Sequence, residues 1–344
     1  MNHEIWQQLL SLESMDLCRE WFLKIHGREL NARRATEINS AAKQAREYFT
    51  NANAANNSVR PLLTFYGVAS LSRSLLLLLR RDGGEETLGG GHGLRTIDWS
   101  QQLSGDPAKG LALLPQLKIQ TCSGLFTDFI EHTRNRISIH ASTSAVDWHV
   151  EYPIPTGGSE FTLGDLLVRL PDLAKDYQNI SAEKRYASVN ELTFDQQNGF
   201  RAKVLSRDFA SFQSTYQQMG YTVESADKMT ILVGSVEVFS NNIPQFIHSY
   251  VQKMFGSIPT LHIADPFGEK NVTYSQLGIT YLMAYFLGML VRYYPTHWIT
   301  LVQGGNGDAL WPSINRAQHF VEESFPELVI EMIYDIVRKS PEKA

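Results

Sequence analysis

The sequence predicts an α+β protein, with N-terminal and C-terminal helical regions around a mixed, mostly antiparallel β-containing middle. Three observations carry this. Apolar residues recur at helical spacing through residues 36–79. Short β-rich segments separated by turn residues begin near residue 113 and run to about residue 265. Long apolar helical patterns return from residue 274. Strand and helix do not alternate regularly in the middle, which argues against a parallel sheet. The implied segments are 1–112, 113–266 and 267–344, and the two helical ends can pack as one unit.

In TEINSAAKQAREYFTNANAA (36–55), Ile38, Ala41, Ala42, Ala45, Tyr48 and Phe49 make one apolar stripe. Pro61 then opens VRPLLTFYGVASLSRSLLLLL, which is apolar nearly all round and so belongs at the centre of a bundle. Gly67, after Phe65 and Tyr66, is small enough for a close helix contact. Arg80, Arg81 and Gly83 close this helix with cations in the last turn and a glycine stop. Arg73 within it needs carboxylate or carbonyl partners if buried, and is otherwise a site residue. GGEETLGGGHGLRT (83–96) reads as a loop from which His92 can reach a site. It lacks the GK[ST] ending and GxGxxG spacing of phosphate loops, and follows a helix where such loops follow a strand.

LKIQT, WHVEYPI, YASVNELTF, RAKVLS and the pair MTILV and VEVFS read as strands, with helical pieces at 162–177 and 208–219. YSQLGITYLMAYFLGMLVRYY (274–294) reads as a helix ending at Pro295, followed by a short piece around HWITLV. In QGGNGD (303–308), Asp308 is placed to cap the last helix.

A chain of 344 residues that is 43% apolar can bury a sizeable core. Its net charge of −5, from 31 basic and 36 acidic residues, gives no general attraction to nucleic acid or anionic membrane, so such contacts need a local patch. Cys18 and Cys122 form no CxxC pair, which excludes a disulfide framework or thiolate zinc site within the chain and fits a reducing cytoplasm. The acidic start MNHEIWQQLLSLE does not resemble a secretion signal. Residues 62–79 are interrupted by Arg73 and 281–291 fall short of the ~20 residues a span needs, so both are read as buried core helices and no membrane contact is expected. His26, His132, His149, His248 and His262 are scattered, none with acids at HExxH spacing, so neither a metal nor a cofactor is expected.

HTRNRISIHAS (132–142) carries the strongest chemical pattern. As a strand it sets Ile137, Ile139 and Ala141 against Arg136, Ser138 and His140. As a helix it aligns Phe126, Ile130, Thr133, Ile137 and Ala141, with Arg134 and His140 flanking that stripe about 120° apart. Packed on a second copy, both side chains would meet at the stripe's rim. A histidine can take the proton of a ribose 2′-hydroxyl or return one to the leaving oxygen, and an arginine can clamp the phosphate. That chemistry needs no metal and makes RNA the substrate.

Arg134, Asn135, four residues and His140 resemble the signature of HEPN ribonucleases. The resemblance implies that Arg134 and His140 are catalytic, that Asn135 supports them, that the protein is a homodimer, and that it serves as a toxin or in antiviral defence. A broader resemblance rests on VRPLLTFYGVASLSRSLLLLL, HGL at 92–94 and YLMAYFLGMLVRYYPTHWITL (281–301), which look like the landmarks of the YaaC-like family of bacterial proteins. It spans most of the chain and implies no defined biochemical role. TFYGVASLSRSLL is also similar to a common HEPN helix, which implies a HEPN-like bundle for the helical ends.

These landmarks contribute candidate binding residues: Tyr66, Arg73 and His92, with Arg292, Tyr293, Tyr294, His297 and Trp298 in RYYPTHW. An arginine among aromatics can stack on a base or on its neighbours. The principal functional reading is a binding or assembly component, in a nucleic-acid-related or defence system, that takes a protein partner or a second copy. The alternative is a metal-independent endoribonuclease using Arg134, Asn135 and His140.

Overall fold

A computed structural model describes residues 2–136, 151–205, 212–226, 229–246, 250–254, 258–268, 271–304 and 307–340. The chain begins with α1 (His3–Leu9), α2 (Met15–His26), α3 (Ala32–Ala54) and α4 (Arg60–Leu79). Then come β1 (His92–Ile97), the single turns α5 (Trp99–Gln102) and α6 (Pro107–Gly110), β2 (Lys118–Gly124) and α7 (Leu125–His132). β3 (Glu160–Thr162), α8 (Leu163–Leu167) and α9 (Ala174–Tyr177) follow. The next stretch holds β4 (Tyr186–Asp195), β5 (Gly199–Leu205), α10 (Phe212–Gln218), β6 (Thr222–Ala226) and β7 (Met229–Gly234). It closes with α11 (Val236–Phe246), β8 (Tyr250–Met254) and β9 (Ile258–Ala264). α12 (Gln276–Tyr293), α13 (Pro295–Gln303) and α14 (Trp311–Lys339) complete the fold.

Two hydrophobic cores result. The larger draws on α3, α4, α12 and α14 together with the antiparallel sheet β1-β2-β3. The smaller lies on the antiparallel sheet β6-β7-β5-β4-β9-β8, where the Phe200 and Phe239 rings stack with centroids 4.3 Å apart. Helical ends around an antiparallel β region are thus present. The described elements give no specific support to a HEPN-like bundle.

Close contacts between rings and glycines seat α4 between α3 and α12. A Cβ on Gly67 would lie 2.7 Å from the Phe49 ring of α3, and one on Gly288 of α12 would lie 2.7 Å from the Phe65 Cβ. Any side chain at either glycine would force the helices apart. Among the described residues α4 is the one helix long and apolar enough to cross a membrane, yet 72% of that apolar window is buried inside the protein.

The end of α4 is capped from elsewhere in the chain. Buried Arg34 donates from Nε to the Leu77 carbonyl at 2.9 Å and from its other nitrogens to the Arg80 and Arg81 carbonyls. A guanidinium there satisfies the carbonyls that a helix end leaves open, and it sits at the negative end of the macrodipole.

Three expectations are corrected. VEVFS is not a strand: it opens α11, because the Ser235 hydroxyl accepts from the Val238 amide at 3.2 Å, a helix-start bond that overrides the β-propensity of valine. The 83–96 segment is not loop throughout, since β1 starts at His92 and pairs with β2. Asp308 caps no helix with its side chain and instead begins a 3₁₀ turn, Asp308–Leu310, ahead of α14.

Candidate functional site

The arginine and asparagine of HTRNRISIHAS end a helix. After α7, the Arg134 amide donates to the Glu131 carbonyl at 3.0 Å and the Asn135 amide to the Ile130 carbonyl at 2.9 Å. Both residues are left-handed, with φ of 55° and 48°. This pair of bonds is a common helix stop, in which glycine usually holds the left-handed position and asparagine is tolerated.

Asn135 is fully buried, and its side chain ties three segments together. Its Nδ2 donates to the Pro153 carbonyl at 3.1 Å and to the Thr273 carbonyl at 2.8 Å, while its Oδ1 accepts from the Ser275 amide at 2.8 Å. Ser275 is the N-cap of α12, so Asn135 joins the end of α7 to the start of α12. Arg134 points outward, 74% exposed, and pairs with Glu151 at 3.4 Å. His140, with the alternation expected of RISIHAS, lies outside the described residues.

A different set of predicted residues converges. The Arg292 guanidinium at the end of α12 donates to the Tyr66 hydroxyl of α4 at 2.9 Å. The Tyr66 ring stacks on Tyr48 of α3, with centroids 5.6 Å apart. His92 lies edge-on to Phe65 at 5.0 Å and 6.0 Å from the Tyr285 ring. Arg292 also sits 5.1 Å from the ring of Tyr293, which is 58% exposed. Arg73, two helical turns beyond Tyr66, is exposed, so the buried ion pair considered for it is not required.

Local backbone geometry aims His92. Gly93 has φ of 74° at an irregularity in the β1-β2 pairing, and a Cβ there would lie 2.6 Å from the Phe126 amide nitrogen. Strand β1 is held against α12 by the Tyr285 hydroxyl, which donates to the Leu94 carbonyl at 3.0 Å. Burial first, then the positive charges of Arg292 and Arg73, hold the His92 pKa below its usual value.

Neither Arg73 nor Arg292 has a carboxylate partner among the described residues. Several arginines elsewhere do, since Arg60 donates to Glu322 at 2.8 Å, Arg46 to Glu13 at 2.7 Å and Arg316 to Asp176 at 2.9 Å, whereas Arg34 and Arg80 bond to carbonyls and Arg95 to Gln120. The corner is therefore a local positive patch with no carboxylate partner among the described residues, on a chain of net charge −5.

Other members of RYYPTHW turn inward. Trp298 is 1% exposed and donates from Nε1 to the Asn57 carbonyl at 2.8 Å. His297 is buried against Gly110, where a Cβ would lie 2.7 Å from its ring, and burial lowers its pKa. Tyr294 is half-buried with its ring 5.9 Å from Trp99. Sequence reasoning missed Tyr48 and Tyr285 as supports of the site. Tyr48 lay on the predicted stripe, but its contact with Tyr66 could not be read from spacing.

Two surface cavities lie elsewhere and contain none of the predicted residues. One of about 380 Å³ sits beside the start of α3, where Arg33 is already paired with Glu37 and Glu86. The other, about 550 Å³, lies along α14 and is lined by acids such as Glu323 and Glu327. Among the described residues no group of His, Cys, Asp and Glu could hold a metal ion.

A family model described as YaaC-like Protein matches residues 11–333, which is most of the chain. No curated protein and no solved structure matches it.

Proposed function

The chain belongs to the YaaC-like protein family, and from that premise we propose that it is a binding component that engages an anionic partner through the corner of Tyr66, Arg73, His92 and Arg292. The observation that carries this reading is the unpaired charge. Burial lowers the His92 pKa first, and two arginines without carboxylate partners among the described residues bear on the same half-buried imidazole and lower it further. Like charges so placed repel one another, and a bound anion removes that cost. A perturbed imidazole beside two cations on a surface is a mark of function.

No specific observation favours the ribonuclease reading. Asn135 has a structural explanation in the helix stop and its anchoring, and Arg134 stands at the left-handed position of that stop, exposed and paired with Glu151. The test uses long-chain polyphosphate, an anion without bases, and total RNA incubated in EDTA. Wild type binds polyphosphate, Arg73→Ala and Arg292→Ala each weaken binding about tenfold, equivalent to ~1.4 kcal/mol, and the RNA stays intact. RNA cleavage that disappears in His140→Ala, or polyphosphate affinity indifferent to both arginines, would overturn the proposal.

A further inference from the structure

We infer that the ligand of this corner is a nucleotide bearing more than one phosphate, either free or within a single strand, with its base stacked on Tyr293. The inference rests on the anion-binding reading above and deepens it. Two kinds of group lie side by side here. Tyr293 presents an aromatic ring that is 58% exposed, while the neighbouring Tyr66 ring is occupied by Tyr48 and its hydroxyl by Arg292. An exposed ring next to an arginine is the arrangement on which bases stack in a sequence-tolerant way.

The phosphates have a track to follow. Phe65 packs against Gly288 of α12, while Arg73, two turns further along α4, bears on Tyr281, two turns earlier in α12, so α4 and α12 run antiparallel here. Arg292 therefore lies at one end of the α4–α12 seam, beside Tyr66, and Arg73 lies two turns along α4, about 10 Å away at ~1.5 Å rise per residue. His92 faces the seam between them, within the field of both cations. That length exceeds one phosphate and suits two or three in series. The backbone approach is open as well, since a Cβ on Gly90 or Gly91, just before His92, would meet nothing within 4 Å.

The probes are ATP without metal, a ten-residue oligoadenylate RNA strand and polyphosphate, each titrated against the full chain and against Tyr293→Ala and Tyr293→Phe. Loss of one stacked base costs about tenfold in affinity. Tyr293→Ala therefore weakens ATP or oligoadenylate by that factor, Tyr293→Phe restores binding, and polyphosphate is bound equally by all three proteins. Tighter binding of the strand than of ATP supports a single-stranded ligand, and equal binding supports a free nucleotide. If Tyr293→Ala leaves both base-bearing probes unchanged while polyphosphate still binds, the inference falls and the anion-binding reading stands. If none of the three probes binds, both fall.

Discussion

At the scale of single residues, the two positions that looked catalytic make opposite demands on substitution. Arg134 holds a left-handed φ of 55° that glycine adopts without strain, and its exposed bond to Glu151 is worth little. Arg134→Gly therefore raises stability by up to about 1 kcal/mol in urea unfolding. Asn135→Ala removes three buried side-chain hydrogen bonds and leaves two carbonyls and an amide without them. It costs about 3 kcal/mol in the same assay. A stable Asn135→Ala or a strongly destabilised Arg134→Gly would show that the helix stop is misread. The motif was legible as letters, but its role was not, because the bonds that explain Asn135 come from residues 153, 273 and 275, far along the chain.

At the scale of elements, periodicity exposed what is long and amphipathic. Of the predicted stripe, Ile38, Ala41, Ala42, Ala45 and Phe49 are buried and Tyr48 is half-buried, and most of the all-round apolar α4 is buried as its spacing predicts. Short pieces were decided by single local bonds, as Ser235 shows at α11. The six-stranded sheet also carries a liability that spacing does not reveal. His262 on β9 is buried with its Nδ1 3.1 Å from the Ser188 hydroxyl, and burial pushes its pKa down to about 4. Because the folded value lies below the unfolded one, the unfolded chain binds more protons between pH 6.5 and about 4. This contribution to stability is present above pH 6.5 and is lost as pH falls through that window, amounting to roughly 3 kcal/mol. Urea midpoints measured from pH 7 to pH 4.5 should fall more steeply for wild type than for His262→Gln. Parallel pH profiles would remove His262 as the cause.

At the scale of the whole molecule, a chain that is acidic overall sets two arginines without carboxylate partners among the described residues where α4, α12 and β1 meet. The sequence named five members of that corner, Tyr66, Arg73, His92, Arg292 and Tyr293, because they fall in arginine and aromatic landmarks. It also named His297 and Trp298, because spacing after Pro295 does not say which side chains turn inward. The family match over residues 11–333 takes in every one of these residues. The most direct measurement is the NMR titration of the His92 imidazole, free and with saturating tripolyphosphate. Facing it are Phe65 and Arg73 from α4 and Tyr285 and Arg292 from α12. The account predicts a pKa below 6.5 in the free protein, an upward shift in Arg73→Ala and Arg292→Ala, and a larger upward shift when the anion binds, so that affinity rises as pH falls. A His92 pKa that tripolyphosphate and both substitutions leave unmoved would contradict it.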